Sequence, residues 1–183
     1  MTHADSGAQR LCSHERATRD VYVARQPIVD ARMKLYGYEL LYRDGYEERV
    51  LFDDADAATY HVVARTVLDI GLETLVGVGA AFVNATHGFL SATGYGLLPP
   101  ERTVVEILED IVVDDEVKGL VSEATLAGYR VALDDYTGPP SQDRIAPLVA
   151  FVKVDMPLVT ETGSSELRGL VDHVRGIAPT AAQ

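Results

Sequence analysis

The sequence predicts an α/β fold built on a mostly parallel sheet. Three observations carry this. Short apolar runs rich in Val, Ile and Leu alternate with longer segments whose apolar residues recur at helical spacing. Breaker residues separate the two kinds of segment, above all Pro99-Pro100, Gly128 and Gly138-Pro139-Pro140. Four strand-like runs, 35–43, 81–86, 103–110 and 130–135, each end in an acid, amide or amine, and a fifth, 151–155, carries Lys153 between valines. A charge inside such a run is costly to bury unless it is paired or bound to metal. Its recurrence in successive strands points to one shared polar site where several parallel strands end.

Taken in order, residues 1–19 are polar and aperiodic and form a loose tail ahead of a domain over 20–183. Residues 21–29 predict a first strand, 30–34 a turn, and 35–43 a second strand. That turn is too short for a helical crossover, so the two strands run antiparallel. Residues 56–75 carry apolar side chains at Tyr60, Val63, Val67 and Ile70, a helix pattern, with Asp53, Asp54 or Asp56 as cap. Strand 81–86, a short helix or loop at 88–97 and strand 103–109 follow. Asp114-Asp115-Glu116 opens a helix that runs to Ala127 and is closed by Gly128. Strand 130–135, a short helix at 142–149, strand 151–155 and a last helix at 165–175 complete the order. Six strands fall short of a closed eight-stranded α/β barrel, which needs about 200–250 residues. The predicted architecture is therefore an incomplete TIM-like barrel.

Composition narrows the function. The chain has 183 residues, 47% hydrophobic, enough for a core, and a net charge of −12. That charge argues against nucleic acid or an anionic membrane as main partner. A small phosphorylated ligand stays open, because Mg²⁺ held by carboxylates reverses the local charge. The single Cys12 forms no internal disulfide and fits a reducing compartment. No run reaches the roughly 18 apolar residues of a membrane span, and 1–20 lack an apolar signal core. The sequence reading is a soluble, cytoplasmic protein.

Six stretches then carry a resemblance. Gln26-Pro27-Ile28 followed by Tyr38-Glu39-Leu40-Leu41-Tyr42-Arg43 resembles the opening of EAL domains, the cyclic-di-GMP phosphodiesterase family, with its QPI strand and Glu-Ala-Leu-x-Arg signature. Val83-Asn84-Ala85-Thr86, Glu106-Ile107-Leu108-Glu109, Leu133-Asp134-Asp135-Tyr136 and Val152-Lys153-Val154-Asp155 resemble the family's VNVS, EITE, DDFG and KID strands, in order. The match covers about 20–178, and its wording is nearest to EAL parts that precede an HDOD domain. The resemblance implies a divalent metal, Mg²⁺ or Mn²⁺, at Glu39, Asn84, Glu106, Asp134 and Asp135. It implies that Asp135 and Lys153 serve catalysis, with Lys153 holding the attacking water. It also implies that Gln26, Leu41 and Arg43 contact cyclic-di-GMP. The chemistry is sound in itself, since phosphodiester hydrolysis at neutral pH needs an activated water and neutralised phosphate oxygens.

Three departures from the family pattern predict loss of hydrolysis. Leu40 stands for the signature Ala. The loop Tyr136-Thr137-Gly138-Pro139-Pro140-Ser141 replaces Phe-Gly-Thr-Gly-Tyr-Ser, and its prolines fix φ and remove amide donors. The family's later metal-site Glu has no counterpart before Gln183. The leading reading is a divergent, non-hydrolysing EAL domain, with any metal site vestigial, that signals by binding protein or nucleotide. A working phosphodiesterase and an inert N-terminal fragment of a longer EAL–HDOD protein are the alternatives. Open sheet edges predict self-association or a protein partner. Other polar residues have simpler readings. Asp114, Asp115 and Glu116 are capping residues, His61 and His87 lack metal-ligand spacing, Cys12 lacks a catalytic context, and Ser91 is not in a nucleophile elbow.

Overall fold

The computed structural model describes residues 21–30, 32–44, 63, 70–137, 140–154 and 164–177. The 1–19 tail, most of the 56–75 helix with its acidic cap, His61 and Cys12 lie outside the described residues. Six strands form a mixed sheet in sequence order, a half-barrel. They are β1 (Val21–Val29), β2 (Leu35–Asp44), β3 (Ala80–Ala85), β4 (Thr103–Ile107), β5 (Arg130–Leu133) and β6 (Phe151–Val152). β1 pairs antiparallel with β2, and every later pair is parallel. The short turn dictates this. Asp30 Oδ1 accepts the amides of Arg32 and Lys34 at 2.9 Å each, reversing the chain at once.

Between the strands lie α1 (Leu72–Val76), α2 (His87–Ser91), α3 (Asp115–Leu126) and α4 (Pro140–Asp143), and α5 (Ser164–Ile177) follows β6. The capping residues act as expected. Asp114 Oδ1 accepts the Val117 amide at 2.9 Å, and Gly128 closes α3 at φ 94°. Thr86, expected at a strand end, instead caps α2 by accepting the Phe89 amide at 3.2 Å. The helix expected over 142–149 is divided into α4 and a 3₁₀ turn at Ala146–Leu148. Pro147 has no amide to donate and cannot continue an α-helix. Strands β4, β5 and β6 end two or more residues before the expected 109, 135 and 155. After β5 the chain kinks at Asp135, whose φ is 40°.

Alternation along the strands sorts two cores. Leu40, Val83, Val105, Ile107, Val131 and Leu133 face the helices and pack with Phe89, Val117 and Val121. The opposite face carries a smaller cluster of Ala80, Phe82, Val104 and Ala132, joined by Ile28, Tyr36 and Phe151. Tyr36 and Tyr38 have the same parity yet join different clusters. The β1–β2 register explains it, passing from Ile28↔Gly37 to Val29↔Leu35 and leaving Tyr36 bulged. Tyr36, Phe82 and Phe151 then meet edge to face, with centroids 5.5–6.1 Å apart.

Gly37 is required by the β2–β3 pairing. A Cβ there would lie 2.3 Å from the Ala80 carbonyl oxygen, a backbone atom that moves only with its strand. Gly37→Ala should therefore cost about 1–3 kcal/mol, and Gly96→Ala, where nothing lies within 4 Å, should be neutral. Paired thermal melts check this; equal melting temperatures would contradict the close approach.

Candidate functional site

Each inner-face apolar residue is followed two positions later by a polar one: Gly37 by Glu39, Phe82 by Asn84, Val104 by Glu106, Ala132 by Asp134, Phe151 by Lys153. A strand repeats its facing every two residues, so these five stand one layer above the apolar cluster, at the C-terminal ends of the parallel strands. The aromatic trio lies in the layer beneath them.

Lys153 draws the layer together. Its Nζ lies 2.9 Å from Glu39 Oε2, 2.8 Å from Glu106 Oε1 and 2.7 Å from Asp134 Oδ1. Asn84 Nδ2 donates weakly to Glu39 Oε1 at 3.4 Å. The expected convergence of Glu39, Asn84, Glu106, Asp134 and Lys153 is thus present. Glu39 and Asp134 are each 8% exposed and Glu106 is fully enclosed. Burial pushes the Glu106 carboxyl up to about 7, although the Lys153 charge opposes this. For Lys153 burial works against the charged form, but the Glu106 charge and the close contacts with Asp134, Glu106 and Glu39 outweigh it and raise the ammonium above its usual range. The Glu106–Lys153 approach is an ion pair without hydrogen-bond alignment, and neither Glu106 oxygen has an aligned donor among the described residues. Asn84 Oδ1 is likewise buried without a donor.

The remaining candidates divide. Gln26 is the register partner of Glu39 and is exposed on β1. Leu41, two residues beyond Glu39, is half-buried on β2. Arg43 lies in β2 opposite Tyr22, and its side chain falls outside the described residues. The Asp135 amide donates to Asp134 Oδ1 at 3.1 Å. His87 is exposed, 3.9 Å from Glu116, and takes no part in the site. Sequence reasoning missed Tyr136, Asp143 and His173, which meet beside the site. The hydroxyl that Tyr136 brings to a buried position was the available signal.

The site suits a hard divalent cation by donor type: carboxylate oxygens of Glu39, Glu106 and Asp134 and the amide oxygen of Asn84. The donorless oxygens of Glu106 and Asn84 support the fit. Among the described residues no three acidic, His or Cys side chains already stand as a metal cage, because the Lys153 ammonium sits between the acids. No described helix is long and apolar enough to cross a membrane.

No protein-family model matches the chain. It is 39% identical over 136 residues to the cyclic di-GMP phosphodiesterase CdgJ of Vibrio cholerae, covering 74% of this chain and 32% of that protein. It is 34% identical over 136 residues to the uncharacterized protein YuxH of Bacillus subtilis, covering 73% of this chain and 33% of that protein. The matched region thus spans about a third of these curated relatives' lengths. Among solved structures, it resembles Bacillus subtilis YkuI, a protein with an EAL domain in complex with its substrate cyclic-di-GMP and calcium. The TM-score there is 0.65 at 21% identity, over 87% of this chain and 47% of that one. A standalone EAL protein of Vibrio cholerae bound to cyclic-di-GMP gives a TM-score of 0.62 at 21% identity, over 90% of this chain and 79% of that one.

Proposed function

We propose, for a chain that belongs to the EAL domain family, that the carboxylate–lysine site binds cyclic-di-GMP as a signal and does not hydrolyse it. The observation that carries this is the single ammonium of Lys153 within 2.7–2.9 Å of all three carboxylates. An amine held charged by three acids cannot take a proton from water. It also competes with a metal ion for the same oxygens. The prolines that follow Asp135 in the sequence add to this, since Pro139 and Pro140 have no amide to donate.

Three acids against one lysine leave the site negative, so an anionic dinucleotide binds there only with a cation. Glu39, Asn84, Glu106 and Asp134 would hold that divalent ion, with Asp135 adjacent. When bound it supplies charge neutralisation at a phosphate oxygen. Gln26, Leu41 and Arg43 would form the wall that contacts the nucleotide. Their placement on β1 and β2 beside Glu39 supports this. The wording of β1 and β2 further supports placing the chain with the EAL parts that precede an HDOD domain. We read its output as passing to a protein partner or a second copy; β1 and β6 each pair on one side only among the described strands.

A second reading, a working phosphodiesterase, is favoured by the name of CdgJ at 39% identity. Incubation with cyclic-di-GMP and Mg²⁺ or Mn²⁺ separates the two. The expected result is calcium-dependent binding in a calorimetric titration with no linear dinucleotide released. Release that Glu39→Ala abolishes would establish the hydrolase instead.

A further inference from the structure

Beside the site runs a chain of polar groups that the proposed ligand chemistry does not use. Tyr136 is fully buried, and its hydroxyl donates to Asp143 Oδ1. His173 Nε2, on α5, lies 3.0 Å from the other oxygen, Asp143 Oδ2. Burial, then the hydrogen bond and charge of Asp143, raise the phenol above its usual range, so it stays a donor. The next residue, Arg144, ties the same turn to α3 through the Asp115 carboxylate and, at 3.4 Å, the Val113 carbonyl. Asp143 is thus an anchor held from two helices.

The backbone of Tyr136 enters the site directly. Its amide donates to the Lys153 carbonyl at 2.8 Å, and the Lys153 amide donates to Leu133 at 2.9 Å. Two residues earlier, the Asp134 amide donates to Ile107 at 2.9 Å. Between these ties lies Asp135 at φ 40°, a left-handed conformation that a non-glycine residue keeps only when its neighbours are held. From these contacts we propose that Tyr136 is a positioning residue: its hydroxyl, fastened through Asp143 to α5, holds the Asp135 kink and thereby sets Asp134 against Lys153. The partner element is α5 through His173, so a movement of α5 is transmitted to the polar layer. The consequence for ligand affinity rests on the cyclic-di-GMP reading above; the tether itself does not.

Tyr136→Phe removes one oxygen and keeps the packing, so it tests the tether with the fold intact. Amide hydrogen exchange is read first, with no ligand. Loss of a hydrogen bond to a charged group allows exchange at the Asp135, Tyr136 and Lys153 amides to rise about tenfold, with β3, β4 and α3 unchanged. Asp143→Asn, which keeps an acceptor for the hydroxyl, should restore most of the protection, and Asp143→Leu should match Tyr136→Phe. Unchanged exchange in Tyr136→Phe, or a uniform rise over the whole chain, overturns the proposal. A calcium-supported titration of cyclic-di-GMP is read second, where Tyr136→Phe should weaken binding about tenfold. Wild-type protein that binds no cyclic-di-GMP refutes the ligand reading, and the exchange comparison then decides the tether alone.

Discussion

Lys153→Met is expected to destabilise the fold by about 3–5 kcal/mol, the largest effect of any single substitution at the site. Methionine keeps most of the apolar stem of lysine and removes the charged, hydrogen-bonding end. Glu39, Glu106 and Asp134 would then face one another with no cation among them, where the ammonium now lies within 2.7–2.9 Å of each. Glu106 suffers most, because it is fully buried and has no aligned donor to share its charge. At about 2–4 °C per kcal/mol for a chain of this size, the melting temperature should fall on the order of 10 °C. Millimolar Ca²⁺ should restore part of that loss, since a divalent ion takes the place of the missing charge. A melting temperature within a degree or two of wild type would mean that the three acids do not depend on Lys153.

Wild-type stability, measured against Glu106→Gln, should fall as pH rises from about 4 to about 8, by about 3 kcal/mol. Burial lifts the Glu106 carboxyl from 4.5 to about 7, so the folded protein binds this proton more tightly than the unfolded chain. The resulting stabilisation is fully present below 4.5 and is lost as pH passes through about 7. The Gln variant has no proton to lose, so only the difference between the two proteins is diagnostic. Denaturant melts across that range check it. A divalent cation prefers the ionised carboxylate, so millimolar Ca²⁺ or Mg²⁺ should stabilise wild type more at the alkaline end than at the acid end. A flat difference between wild type and Glu106→Gln would show that Glu106 binds its proton no more tightly in the fold than in the unfolded chain.

Much of the site was legible because strand periodicity is a local property. Phe82 and Asn84, Val104 and Glu106, Ala132 and Asp134 are each two residues apart, and that spacing alone places the second above the first on one face. The antiparallel opening was legible for a similar reason, since a turn over 30–34 leaves no room for a crossover. The ends of the strands were less so. The apolar run through Asp135 continues past the last residue of β5, because an extended pattern says nothing of a φ of 40° imposed by the contacts on either side. The bulge that turns Tyr36 toward Phe82 and Phe151 is equally absent from the pattern, which alternates there without a break.

By itself the sequence determined which residues make strands, the order of the elements, the capping of α3 by Asp114, and which polar side chains share the inner face. It did so because propensity, alternation and capping act over a few residues. Tertiary structure alone decided that Lys153 pairs with Glu39, 114 residues away, and with Glu106 and Asp134 together, and that Tyr136 finds Asp143 and His173. Which acid a buried ammonium meets, and how far that meeting moves a carboxyl such as Glu106 toward neutrality, depends on burial and on distances between strand ends. Those quantities exist only once the sheet has assembled.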